Sequence, residues 1–332
     1  MSIVAECLSQ TSLGEPQIHK NLTLFPLMSE GGVEPHYQLL DEALANGCAR
    51  VTEVSESGSV PELKFVNDCD RPVLLLDGEE LVGAKQNRIL NLTVLAPART
   101  TIVIPVSCVE AGRWRADSAE FSSANRAHFS RGRARKAAHV TESLRSTGSR
   151  RSDQSEVWAD ISEKAARMDA FSATDAAAAL YETHRANLDD YLGAFSATDN
   201  QSGALFAIND EVVGLDLFDS PATLASLLPK LVQSYALDAI DGGEKESRPE
   251  GASAERLLKD AASATAEHFP AVVEGEDLRL RGERLSGGAL VADDRVVHLC
   301  VFRLQEGGTD FRGNRGSSLA RASLRRRGRH WE

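Results

Sequence analysis

The rhythm of apolar and polar positions divides the 332-residue chain into a strand-rich first half, a helical middle and a second strand-rich stretch. After a lone strand signal, LTLFPLM, Leu39, Leu40, Ala43 and Leu44 keep helical spacing ahead of Asn46-Gly47. This predicts a short helix within 34–45. Between 48 and 112, runs rich in Val, Ile, Leu and Thr (ARVTEV, ELKFVN, PVLLLDG, LVGAKQNRILNLTVL, TTIVIPVSCVE) are broken by Gly, Pro and Asp and read as strands. From 153 the spacing becomes three and four. Asp153 and Glu156 fit a capping box before a stripe of Val157, Ile161, Ala165 and Met168. A second helix, capped at Ser172 or Thr174, aligns Ala177, Leu180, Tyr181, His184, Leu188, Tyr191 and Leu192, with His184 read as a core-edge histidine. A third starts at Ser220-Pro221 and is expected to kink or split at Pro229. A loop over 241–253, expected to be mobile, leads to an Ala-rich helix over about 254–266.

Two segments echo each other. GALFAINDEVVGLDLF (203–218) and GALVADDRVVHLCVF (288–302) both read as β-hairpins, with turns at Asn209-Asp210 and Asp293-Asp294. The expected fold class is therefore α+β: an antiparallel, β-rich N-terminal half, a helical middle over 153–268, and two similar hairpins completing a sheet. We expect one domain over 1–304 and a disordered, Arg-rich tail over 305–332.

Residues 84–112 read as one hairpin turning at Ala96–Arg99. With side chains alternating at period two, Val94 would face Ile102, Leu92 would face Ile104 and Leu90 would face Val106. The same register sets Arg88 opposite Cys108 and Gln86 opposite Glu110, so an apolar row becomes polar at its open end. Lys85, Asn87 and Asn91 form a second polar row on the other face. Asp77-Gly78 is a hairpin turn signal between PVLLL and ELVGA that would bring Glu79 or Glu80 to the same end. Either Arg88, Glu110 and Gln86 satisfy one another, or a ligand completes them, because an unpaired buried charge is costly.

Charge narrows the choice of partner. The net charge is -12, which excludes a general nucleic-acid footprint. Residues 113–151 nevertheless carry ten Lys or Arg against three acids, and the last 23 residues add seven Arg. The basic segment at 113–152, with few apolar anchors, reads as a solvated loop or partly disordered stretch, or as a contact for an anionic ligand. Five cysteines without a CxxC make a disulfide framework and a cysteine-based zinc site unexpected, and a cytoplasmic location fits. The scattered histidines show no metal-binding spacing. The sequence offers no secretion signal and no apolar run long enough to span a membrane. Walker, GxGxxG, zinc and GxSxG signatures are absent, which disfavours the common NTPase, Rossmann, metallohydrolase and serine-hydrolase readings. A sugar-binding β-sandwich carries no short motif and stays open.

The candidate chemistry gathers in GEELVGAKQNRILN (78–91) and IPVSCVEAGRW (104–114). Arg88, Lys85 and Arg113 suit phosphate or carboxylate. Gln86, Asn87 and Asn91 suit hydroxyls or a base edge, and Trp114 suits stacking on a ring. Glu110 or Glu79 would serve as general acid or base. Cys108 is either a nucleophile activated by Arg88 or an inert buried thiol.

These two stretches, with SDQSEVW, GLDLFD, LVQSYALDA and GEDLRL…GGALVADDRVVHL, together resemble the bacterial ADP-ribosylglycohydrolase- and rhodanese-phosphatase-associated protein (ARPP) family, first type, over most of 15–304. The resemblance implies a link with ADP-ribose or NAD metabolism and favours a nucleotide-sugar ligand. No cofactor is expected, and the resemblance does not say which motif residues are catalytic. Three roles follow as expectations: hydrolysis or transfer on such a ligand, a non-catalytic sensor of it, or a structural or protein-interaction domain.

Overall fold

Strands and helices follow from the chain's rhythm in the order α1 (Ile3–Ser9), β1 (Thr11–Leu13), β2 (Gln17–His19), β3 (Leu22–Ser29), β4 (Gln38–Leu39), α2 (Leu40–Ala45), β5 (Ala49–Glu53), β6 (Glu62–Asn67), β7 (Val73–Leu75), β8 (Glu79–Gly83), β9 (Arg88–Leu90), β10 (Val94–Ala96), β11 (Thr100–Cys108) and β12 (Phe121–Ala127). The helical middle comprises α3 (Ser130–Thr147), α4 (Gln154–Arg167), α5 (Ala178–Thr183) and α6 (Arg185–Ala194). Then come β13 (Gln201–Ile208), β14 (Glu211–Phe218), α7 (Pro221–Gly242), α8 (Gly251–Ala262), β15 (Thr265–Pro270), β16 (Glu276–Gly282), β17 (Leu285–Ala292) and β18 (Arg295–Arg303). The computed structural model describes residues 2–29, 33–245 and 249–304. The expected tail at 305–332, and 246–248 of the expected mobile loop, lie outside the described residues.

The α+β expectation holds. A nine-stranded sheet runs β1-β3-β13-β14-β18-β17-β16-β15, with β2 also on β3, and its paired strands are antiparallel. The two echoing segments are the hairpins β13–β14 and β17–β18, and they lie side by side through the β14–β18 pairing. Asn209, Asp293 and Asp294 take positive φ at the turns, a conformation that Asn and Asp tolerate better than most residues. Both faces of this sheet are covered. Helices α1 and α8 pack Val4, Leu8, Ala254 and Leu257 against one face. Side chains of α3 to α7 pack against the other, led by Leu224, Leu228 and Leu231. Two-sided burial explains why β13 and β17 are buried at every position.

The β-rich segment forms a closed barrel, β11-β6-β5-β12-β8-β9, with its own core around Leu63, Phe65, Leu81 and Ile104. A three-stranded sheet, β10-β7-β4, lies beside it. Here the long expected hairpin is corrected. Leu90↔Val106 and Arg88↔Cys108 pair as expected. Beyond Leu90 the chain leaves the barrel, so Val94 pairs with Leu75, and Ile102 and Ile104 pair with Phe65 and Leu63. Both partners of the broken register are apolar and buried, so the alternation rule cannot choose between them. Asp77-Gly78 is a tight bend, yet β7 and β8 belong to different sheets and do not form a hairpin.

Five other expectations change. Residues 113–152 are largely ordered, as β12 and the 18-residue α3. On α3 the buried face carries Arg133, Lys136, Ala137, Val140 and Leu144 at helical spacing; its first two positions are cations, which hid the stripe. The helix through 177–192 is two short ones, α5 and α6, with His184 at their junction, its ring beside the Met168 carbonyl at 2.9 Å. Helix α7 runs unbroken through Pro229, and the end of the expected fourth helix, at 265–266, is instead the start of β15. Cys48 and Cys69 form a disulfide at the ends of the β5–β6 hairpin. No disulfide framework was expected, and this one bridge removes the cysteine argument for a cytoplasmic location. Among the described residues no helix is long and apolar enough to cross a membrane.

Candidate functional site

Strand β9 is only three residues long, and the loop before it carries most of the expected site. Register fixes Arg88 beside Cys108 on β11. Gln86 Nε2 donates to the Glu110 carbonyl at 2.9 Å, and the Cys108 thiol donates to the same oxygen at 3.2 Å. Gln86, Arg88, Cys108 and Glu110 therefore converge as the alternation required, and all four are buried.

The Glu110 carboxylate has its needs met from within. Oε2 accepts from Arg113 Nη2 at 2.7 Å and from the Asn87 backbone N–H at 3.1 Å, and Oε1 accepts from Thr174 Oγ1 at 2.8 Å. Burial opposes its ionisation, but these donors outweigh burial and hold its pKa below the usual Glu range. Asn87 Oδ1 accepts a further bond from Arg113 at 3.1 Å. Burial pushes the Cys108 thiol up, and the backbone bond at Glu110 and the nearby Arg88 charge offset only part of that rise.

Arg88 is the least satisfied member of this cluster. Its side chain is 0% exposed, yet Nε and Nη2 have no hydrogen-bond partner among the described residues. Nη1 makes only a long contact, 3.5 Å, with the Asn87 carbonyl. Among the described residues no carboxylate lies within ion-pair distance of it, and burial pulls its pKa below the ordinary arginine value. Trp114, 47% exposed, covers it with the ring centroid 5.7 Å from the guanidinium carbon. Lys85 Nζ reaches the same ring at 5.4 Å and donates to the Glu56 carbonyl at 2.5 Å. Gln86 Oε1 and Glu53 Oε2 are also buried without partners among the described residues.

Two expected members fall outside this group. Glu79 pairs with Lys230, which also binds Asp41 Oδ2 at 2.6 Å, while Glu79 Oε2 accepts from the Leu76 N–H at 3.0 Å. Asn91 bridges Ser107 and the Arg150 carbonyl at 2.6 and 2.9 Å. Both serve packing between elements.

Sequence reasoning missed a second buried charge cluster. Arg133 of α3 donates through Nη2 to Asp216 Oδ1 at 2.6 Å and through Nε to Asp77 Oδ2 at 3.2 Å. Lys136 donates to Asp77, and to the carbonyls of Leu90 and Asn91 at 2.8 and 2.9 Å. His298 bridges Asp216 and Thr93. The signal was present in the sequence: Asp77 after PVLLL, Asp216 within GLDLF and His298 within VVHLCV each interrupt an apolar run. Their separation along the chain left no local spacing to read.

Against known proteins, residues 10–302 match a family model described as ARPP-1, the ARG and Rhodanese-Phosphatase-superfamily-associated Protein domain. No curated protein and no solved structure matches the chain.

Proposed function

The chain belongs to the ARPP-1 family, and from that premise we propose that it binds a phosphorylated nucleotide sugar of the ADP-ribose or NAD class at Arg88, Lys85 and Trp114. The family description associates it with ADP-ribosylglycohydrolase and rhodanese-phosphatase proteins and names no activity. The observation that carries the proposal is the buried Arg88 guanidinium, which has no carboxylate at ion-pair distance among the described residues. A buried cation is ordinarily paired, and a phosphate supplies both the charge and the geometry that its free Nε and Nη2 can meet bidentately. Trp114 offers a ring face for the base, and Gln86 Oε1 accepts from a ribose hydroxyl. Because Arg88 is covered, entry requires Trp114 to turn aside.

Binding without turnover is the better-supported form. Glu110 is held ionised with both oxygens engaged, Glu79 is committed to Lys230, and burial holds Cys108 as a thiol. None of the three is placed as a free acid, base or nucleophile. The test is thermal unfolding with ADP-ribose, NAD, ribose 5-phosphate and inorganic phosphate, with mass spectrometry of each ligand afterwards. Stabilisation of about 2.7 kcal/mol at 100 times Kd, with the ligand recovered intact, is expected for ADP-ribose or NAD. Arg88→Met should weaken binding at least tenfold. No shift with any of the four probes rejects the site, and product formation rejects the non-catalytic form.

A further inference from the structure

Two surface segments close over Arg88, and one side chain joins them. The first carries Trp114, whose ring stands 5.7 Å from the guanidinium carbon. Arg113 anchors this segment through Glu110 Oε2 and Asn87 Oδ1. Arg113 Nη1 and the Asp117 N–H both donate to the Ala84 carbonyl, at 2.7 and 3.1 Å, and the Ala84 N–H donates to Ser118 Oγ at 2.8 Å. The chain is thus pinned at 113, 117 and 118. Trp114, Arg115 and Ala116 bulge between the pins, and all three are exposed. The indole can swing outward from such a bulge while the backbone on either side stays in place.

The second segment is the turn between β5 and β6. The Gly58 N–H closes it on the Ser55 carbonyl at 3.0 Å, with Ser55, Glu56 and Ser57 exposed. Half-buried Lys85 lies between turn and indole. Its backbone N–H donates to Glu53 Oε1 at 3.4 Å, and its stem lies against the turn, where a Cβ on Gly58 would stand 3.2 Å from Lys85 Cδ. The ammonium donates to the Glu56 carbonyl at 2.5 Å and lies 5.4 Å from the Trp114 ring centroid. Both of these partners are neutral. A cation over a ring is held weakly where the site is exposed, and a hydrogen bond with both groups charged is roughly twice as strong as a neutral one. An anion that reaches Lys85 therefore offers the ammonium a better partner than either.

Taking the ligand's identity from the nucleotide-sugar reading, we propose that Lys85 is the latch and Trp114 the gate of the Arg88 site. A phosphate of the ligand first takes the ammonium from the Glu56 carbonyl and the indole. Trp114 then swings aside, and the phosphate passes inward to the free Nε and Nη2 of Arg88. Release of the ligand lets Lys85 return to its neutral partners and closes the site. The order makes the gate selective, because a sugar or base without phosphate brings Lys85 no anion and leaves Arg88 covered.

The experiment treats the full chain, in phosphate-free buffer and without ligand, with phenylglyoxal, which modifies exposed guanidinium groups. Peptide mass spectrometry follows each arginine with time. Arg115, with its side chain 83% exposed, reports the reagent, and Arg133, 0% exposed, reports unfolding. In the parent, Arg88 should label far more slowly than Arg115. It should label at least about tenfold faster in Trp114→Ala and about threefold faster in Lys85→Met, as loss of two and of one exposed cation–π contact implies. Lys85→Arg should stay close to the parent, and Arg133 should stay unlabelled throughout. Arg88 labelling as fast as Arg115 in the parent, which needs no variant to fold, overturns the gate. Equal Arg88 labelling in the parent and Trp114→Ala also overturns it, and equal labelling in the parent and Lys85→Met overturns the latch. Repeated with ligand, ADP-ribose should protect Arg88, whereas protection by adenosine overturns the anion-first order. If the variants behave as expected and neither ADP-ribose, NAD, ribose 5-phosphate nor inorganic phosphate protects Arg88, the latch and gate stand and the nucleotide-sugar reading fails.

Discussion

Arg88 is a buried cation with no carboxylate at ion-pair distance among the described residues, and that fixes what its removal should do. Had Arg88 been the partner of Glu110, its loss would orphan a buried carboxylate and cost about 3–5 kcal/mol. Arg113, Thr174 and the Asn87 N–H instead satisfy Glu110, so Arg88→Met leaves Glu110 paired. The variant is expected to match or exceed the parent in unliganded stability, measured by denaturant unfolding, while losing ligand affinity. A loss above about 3 kcal/mol would mean that Arg88 is structural. His128 gives a residue-scale expectation of another kind. Its ring packs on Phe129 at 4.1 Å, and burial, reinforced by the Lys136 charge, lowers its pKa from 6.5 to about 3. Below pH 6.5 the unfolded chain takes a proton there that the folded protein refuses. Stability should therefore fall as pH drops from about 6.5 toward 3, by about 1.4 kcal/mol per unit for this one group, with no contribution above 6.5. Asp216 and Asp241, with pKa values held at about 2, lose their stabilising contribution only as pH falls below about 5. Unfolding free energies between pH 6.5 and 5 should slope less steeply for His128→Gln, with His139, also lowered by burial, adding a slope of the same sign in both proteins. Parallel slopes would count against His128.

Elements were easier to read than their pairing. Both C-terminal hairpins, the Asp153 cap of α4 and the Ser220-Pro221 start of α7 were visible, because each depends on a few adjacent residues. The Arg88–Cys108 register was legible because one buried row fixes it. What stayed hidden was any choice between equally apolar partners, as when β10 leaves β11 for β7. Hidden too was α3, whose buried stripe opens with Arg133 and Lys136. The Asp77-Gly78 bend marks this limit, since its position was legible and its partners were not. Gly78 has φ +78°, and a Cβ there would lie 2.9 Å from Arg133 Cγ and Cδ. That Arg side chain is held by two carboxylates and cannot swing away cheaply. Gly78→Ala should cost about 1 kcal/mol for the backbone conformation and more for the displaced guanidinium, roughly 2–3 kcal/mol together. Calorimetric unfolding measures it, and a change under 0.5 kcal/mol, the range roughly typical of neutral surface substitutions, would show that Arg133 yields freely.

Barrel-side segments and nine-stranded sheet meet through charge as well as through apolar contact. Asp77, at the bend entering β8, and Asp216, in the middle of β14, share Arg133, and Lys136 ties Asp77 to the carbonyls of Leu90 and Asn91. His298 of β18 and Thr93 close the ring. Every charge in it is at most 3% exposed. Such a network adds little net energy over a well-packed apolar contact, yet breaking it is costly, because each survivor becomes an unpaired buried charge. Its effect is to favour one placement of barrel against sheet, since a shifted docking leaves Asp77 or Asp216 without its cation. Arg133→Met should therefore destabilise the whole molecule by about 3–5 kcal/mol, and salt should change that loss little, because buried pairs are poorly screened. Adding Asp216→Asn should recover part of it by removing the orphaned carboxylate, giving a non-additive double-mutant cycle in denaturant unfolding. If the two losses simply add, Arg133 and Asp216 stabilise barrel and sheet separately, and the docking is fixed by apolar packing alone.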